Sequence, residues 1–150
     1  FTTPPDPKLC GPCDQSLIFK LTTDDWPDET AWTLVHTPSN ACGARPAIEG
    51  AGYTNKNFTS SQTIPASICA NEIYTFTITD SIGDGLCCTG GQGSYSLELD
   101  VATIAVGAEF GSSQTAAFTT PPDPKLCGPC DQSLIFKLTT DDWPHETAWT

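Results

Sequence analysis

Two acidic stretches carry the residue types with the most capacity for chemistry. The first is Asp80-Ser81-Ile82-Gly83-Asp84-Gly85-Leu86-Cys87-Cys88-Thr89-Gly90-Gly91-Gln92-Gly93-Ser94-Tyr95. Its five glycines allow tight turns, and Asp80 and Asp84 offer carboxylate oxygens four residues apart, as calcium loops do. The spacing is not that of an EF-hand, because the 12-residue ligand pattern and its terminal Glu are missing. The second stretch, Asp24-Asp25-Trp26-Pro27-Asp28-Glu29, can supply the remaining ligands through Asp24, Asp25 or Glu29 if the fold brings the two together. No cofactor is required, and Ca²⁺ is the one these residues could hold. The competing expectation is that Asp80 and Asp84 cap their turn by accepting hydrogen bonds from backbone N–H groups.

Other constellations point away from catalysis. Cys10-Gly11-Pro12-Cys13 has the spelling of a thioredoxin centre, but that motif opens a helix, whose N-terminus lowers the thiolate pKa. Here it follows a proline-rich stretch and precedes a strand pattern. A disulfide oxidoreductase is thus a distant third reading, and zinc held by Cys10, Cys13, Cys87 and Cys88 ranks no higher. His36 has no nucleophile elbow to serve, so a catalytic triad has no visible parts. A glycosidase pair needs carboxylates at a set separation, and a solvated acidic face explains these as well. The chain is not expected to be an enzyme. Trp26, Trp32, Tyr53 and Tyr74 could stack on sugars; core packing accounts for Trp32 and Tyr74, which leaves Trp26, in a turn, as the ligand candidate.

Cysteine usage sets the compartment. Cys10, Cys13, Cys42, Cys69, Cys87 and Cys88 form one set, and Cys127 and Cys130 begin another. An even set in a small Thr-, Ser- and Gly-rich domain predicts disulfides and an oxidising, extracellular or cell-surface location. Six cysteines leave 15 connectivities open. Cys87 and Cys88 can bond to each other, but two separate partners would pin the acidic loop better. Asn57-Phe58-Thr59 is an N-glycosylation sequon that fits the same compartment. A net charge of −12 repels phosphate backbones and argues against nucleic acid as a partner. No apolar run of 18 residues exists to span a membrane.

The chain repeats itself. Residues 118–150 copy residues 1–33 at a constant offset of 117, with one change, Asp28 to His145. A period of that size is one independent domain, so the expected organisation is a tandem array, of which these residues would be a window. The boundaries expected are a Pro-rich connector at 1–13, a β-sandwich repeat at 14–117, the next connector at 118–130 and the first strands of the next repeat at 131–150. Pro4, Pro5, Pro7 and Pro12 stiffen the connector; Thr2, Thr3, Pro4 and Pro5 are candidates for O-glycosylation or hydroxylation. The alternative is an ordinary irregular edge segment.

Between the connectors the pattern is all-β. Leu17, Phe19 and Leu21 alternate with polar-side neighbours, and Ala31 to His36 puts Trp32 and Leu34 on one face. Pro38 to Tyr53 reads as loop with one short strand, and Asn57 to Ile64 as an edge strand. Tyr74, Phe76 and Ile78 share a face of Ile73 to Thr79, as do Tyr95, Leu97, Leu99 and Val101 in Ser94 to Val101. Further strands are expected at Thr103 to Val106 and Gln114 to Thr119, the last running into the Phe118-Thr119-Thr120 of the next repeat. Seven or eight short strands predict a disulfide-stapled antiparallel β-sandwich or jelly roll, and a strand or loop of one repeat is positioned to complete its neighbour.

Two motifs resemble those of a known family. Thr23-Asp24-Asp25-Trp26-Pro27-Asp28-Glu29-Thr30-Ala31-Trp32 fits T-D-x-x-P-x-E-T-x-W, and Tyr74 to Tyr95 fits Y-x-F-x-I-x-D-x-x-G-D-G-x-C-C-x-x-G-x-G-x-Y. Both resemble repeats of extracellular and surface proteins of algae and other protists. The likeness covers roughly residues 16–118 and implies a β-sandwich module of an adhesive or structural surface protein. One departure stands after Asp100, where Val101-Ala102 replaces the usual Gly. The function expected is structural, an extracellular filament of beads linked head to tail, with self as partner and acidic loops taking Ca²⁺ to stiffen the junctions. The alternative is an adhesive repeat that binds glycans.

Overall fold

The computed structural model describes residues 12–38 and 43–123. They form eight strands: β1 Gln15–Thr22, β2 Thr30–Thr37, β3 Ile48–Gly50, β4 Thr59–Ile68, β5 Ile73–Asp80, β6 Ser94–Leu99, β7 Ala102–Gly107 and β8 Ser113–Thr119. The sheets are four-stranded, in the orders β4-β1-β6-β7 and β3-β2-β5-β8, and every pairing is antiparallel. Only the β2–β3 and β6–β7 connections stay within a sheet. All the others cross between sheets, so loops gather at the two ends of the strands.

Alternation builds the core. Leu17, Phe19 and Leu21 of β1 point inward with Tyr95, Leu97 and Leu99 of β6, against Trp32, Leu34, Tyr74, Phe76 and Ile78 of the other sheet. Phe19 is central, with its ring 4.9 Å from Trp32, 5.3 Å from Phe76 and 6.3 Å from Tyr95. Offset aromatic contacts of this kind add to the hydrophobic gain of burial. On the outer face the alternate residues are wet, and Lys20 pairs with Glu98 at 2.8 Å.

The strands on either side of the Gly-rich loop belong to different sheets, so that loop crosses an end of the molecule. Two expectations change. Val101 is not an inward strand residue; β6 stops at Leu99 and Val101 is fully exposed in the turn. The turn closes without a Gly because Asp100 itself takes the left-handed conformation, at φ 54°, which Asp tolerates better than most residues. Finally, β4 continues to Ile68, beyond Ile64, and passes through Pro65. An edge strand accommodates a residue that cannot donate to the ladder.

One corner gathers the two ends of the described chain. Cys13 is disulfide-bonded to Cys69 at the end of β4, and Ala70 N–H donates to the Pro12 carbonyl at 3.0 Å. Past β8, the buried Thr120 hydroxyl donates to the Cys69 carbonyl at 2.6 Å and accepts from Glu72 N–H at 2.9 Å. Thr120 N–H donates to the Glu72 carbonyl, and the Pro121 carbonyl accepts from Asn71 N–H and Gln15 Nε2. The chain therefore comes in and leaves beside the β4–β5 turn. Phe118 and Thr119, the first residues of the second sequence copy, are the last two of β8.

Candidate functional site

The acidic stretches meet at the other end of β1 and β5. Eight-residue strands put that end about 26 Å from the chain-end corner. After β1, Thr23 is fully buried, with its hydroxyl donating to the Asn55 carbonyl and accepting from Phe58 N–H. That anchor sets Asp24, 1% exposed, facing inward, where Oδ1 accepts from Trp26 N–H at 2.8 Å. A 3-10 turn at Pro27–Glu29 then leads into β2. From the other sheet, Asp80 ends β5 with 3% exposure; its Oδ1 accepts from Ile82 and Gly83 N–H.

The loop beyond Asp80 is folded back on this turn. Leu86 is buried in the core, with its N–H on the Ala108 carbonyl and its carbonyl accepting from Gly93. Gly93 has backbone of Thr22, Leu86 and Asp24 within 2.9 Å of where a Cβ would sit, so no other residue fits without a shift. Gly91, at φ 145°, lies against Asp24 and Asp25. Asp25 N–H donates to the Gly90 carbonyl and Ser81 N–H to the Glu29 carbonyl, so both stretches are stitched together by backbone.

Carboxylate oxygens of Glu29, Asp80 and Asp84 lie within 4.8 Å of one another. Asp24 Oδ2 and Asp84 Oδ2 both face Gly90. Asp24 Oδ2, Asp80 Oδ2 and Asp84 Oδ1 are buried with no hydrogen-bond donor. Burial first, then the charges of Asp80, Asp84 and Asp25, push the Asp24 carboxyl above its ordinary pKa, although the Trp26 N–H opposes this. Glu29 moves the same way, by desolvation and then by Asp80, Asp84, Asp24 and Asp28. The two expectations for Asp80 are thus divided between its oxygens: Oδ1 caps the turn and Oδ2 is left for something else.

Of the five candidate ligands, Asp25 stands apart, because its carboxylate accepts from Asn57 Nδ2 at 3.0 Å. Asp28 is exposed and outside the cluster. Asn57 is exposed at the rim, at φ 51°. Trp26 is 54% exposed, with Lys56 Nζ 5.3 Å from its ring centroid. Trp32 and Tyr74 are core residues, and Trp32 Nε1 donates to the Tyr53 hydroxyl at 2.8 Å.

The cysteines correct one expectation. Cys87 and Cys88 are bonded to each other, not to separate partners; the loop is held instead by Leu86 and by the backbone bonds to Glu29 and Asp25. Cys13 is bonded to Cys69 at the far corner, so Cys13, Cys87 and Cys88 neither converge on zinc nor keep free thiols. Cys10, Cys42, Cys127, Cys130, Thr2, Thr3, Pro4 and Pro5 lie outside the described residues. The copies of the last four are Thr119, Thr120, Pro121 and Pro122; Thr120 is buried and hydrogen-bonded, and the other three are exposed. The corner contains a pair that sequence reasoning missed. His36 Nε2 and Glu72 Oε2 are 3.0 Å apart and buried, with the Tyr74 ring 4.9 Å from the imidazole. Its sequence signal was the inward phase that His36 shares with Trp32 and Leu34.

Fold and site together define a disulfide-bonded all-β module of two four-stranded antiparallel sheets with an acidic loop cluster at one end. Among the described residues no helix is long and apolar enough to cross a membrane. No family model, curated protein or solved structure matches the chain.

Proposed function

We propose that this chain is a structural repeat, a bead of an extracellular filament in which each bead is finished by the first residues of the next copy. The observation that carries this reading is the position of Phe118 to Pro121. They open the second sequence copy, yet they complete β8 and close the corner of the first bead. By the 117-residue offset, Pro129 corresponds to Pro12, where the described bead begins. Residues 124–128 alone separate one bead from the next, and from Asp123 to Pro129 they reach at most about 22 Å. Neighbouring beads are thereby held within contact distance, and one contact repeated at every junction generates a helical polymer. Within this reading the bead is a plain antiparallel sandwich: a jelly roll pairs its first strand with its last, whereas here β1 and β8 lie in different sheets. Disulfides and an acidic, soluble surface suit an extracellular or cell-surface location.

Negative-stain microscopy of a polypeptide of several repeats should show filaments of constant diameter with a regular axial repeat. Only flexible, irregular chains would sink the proposal. Trp26 favours a second reading, an adhesive repeat that binds glycans, because it is a large exposed aromatic in a turn. Glycan-array binding abolished by Trp26→Ala would support that reading over the first.

A further inference from the structure

The acidic cluster has features that neither turn capping nor bead assembly explains. Four carboxylates from two segments meet at one end of the sandwich: Asp24 and Glu29 in the β1–β2 turn, and Asp80 and Asp84 at the end of β5 and beyond. Among the described residues none of the four is ion-paired. Repulsion alone would be relieved by turning these side chains to water, as Asp28 does. Instead, Asp24 and Asp80 are 1% and 3% exposed, and each holds one oxygen in its turn by backbone N–H groups and leaves the other buried without a donor. Buried acceptors without partners are costly and uncommon. A hard dication answers both features, since it bonds to anionic oxygens and offsets their charge.

We propose that Glu29, Asp80 and Asp84, with Asp24 Oδ2 alongside, form a Ca²⁺ site that clamps the β1–β2 turn to the β5–β6 loop. The carboxylates of Glu29, Asp80 and Asp84 supply ligands, and water completes the shell that Ca²⁺ requires. Asp25, bonded to Asn57, and the exposed Asp28 lie outside the group of converging oxygens, which for Asp28 agrees with its replacement by His145 in the second copy. The site lies within one bead, at the end away from the chain-end corner, so its ion ties together two loops of the same bead. It is independent of whether beads form filaments.

Calorimetric titration of the oxidised 150-residue chain with CaCl₂, after chelator treatment, tests this. One ion per chain is expected, because the second copy repeats Asp24 and Glu29 as Asp141 and Glu146 but not Asp80 and Asp84. Asp84→Asn should weaken binding roughly ten-fold or more, whereas Asp28→Asn should leave it unchanged. In chelator Asp84→Asn should melt at or above the wild-type midpoint, since a repelling charge is gone, and in Ca²⁺ below it. No saturable binding up to on the order of 1 mM Ca²⁺ would overturn the proposal. So would wild-type affinity in Asp84→Asn, or an equal fall in its midpoint with and without the ion.

Discussion

The raised carboxyls of Asp24 and Glu29 fix the sign of a pH effect. A group whose folded-state pKa lies above its unfolded value holds more protons when folded. Stability is then lost as pH rises from the unfolded pKa through the folded one. Glu98, lowered by its bond to Lys20, acts oppositely, but its contribution fades only as pH falls below the ordinary carboxylate range. In chelator, therefore, the melting midpoint should be higher at about pH 5 than at about pH 7.5, and Asp84→Asn should flatten the difference. With Ca²⁺ present the order should reverse, because protons compete with the ion for the same oxygens. A chelator profile that rises towards neutral pH would show that the cluster is not strained by its own charge.

At the scale of elements, the two disulfides differ in what they constrain. Cys13–Cys69 closes a loop across 56 residues, and chain entropy assigns it about 4 kcal/mol. Cys87–Cys88 joins neighbours and removes little freedom from the unfolded chain. Urea unfolding should show a loss of about 4 kcal/mol for Cys13→Ala with Cys69→Ala, and under about 1 kcal/mol for the adjacent pair; the reverse order would contradict this account. The strands themselves were largely legible, because Leu17, Phe19, Leu21 and Tyr74, Phe76, Ile78 announce a face with period two. Alternation names a face but not a neighbour, so it could not show that β5 and β6 lie in different sheets. It also ran past Leu99 to Val101, since hydropathy does not register the left-handed turn at Asp100. Asp80 and Asp84 were visible as a spacing, and Asp24 and Glu29 as an acidic turn. Their meeting depends on a strand order that places the ends of β1 and β5 together. Thr120, Glu72 and His36 gave less signal, as each is polar and becomes buried only because the corner closes over it.

At the scale of the molecule, the sequence repeat and the structural unit are out of phase. A chain ending at Ala117 contains one full sequence period but lacks Phe118, whose ring stacks on Tyr74 at 5.9 Å, and the Thr120 bonds. It should be less stable than a chain ending at Asp123 by about 3 kcal/mol or more, measured by thermal or urea unfolding. Equal stability would mean that the borrowed residues are incidental. The shared corner has a further consequence for an array under tension. A pulling force arriving at Cys13 passes through the disulfide to Cys69, and from there across the Thr120 and Pro121 hydrogen bonds to the departing chain. Residues 14–68 lie inside the covalent loop and cannot be extended while the disulfide is intact, although Gln15 shares the corner's load through its bond to Pro121. The first structure to yield is the corner, followed by β8, peeled from one side of its sheet one pair at a time. Each bead then lengthens by a limited amount and keeps a closed half, so a stretched filament gives at its seams before its beads are lost.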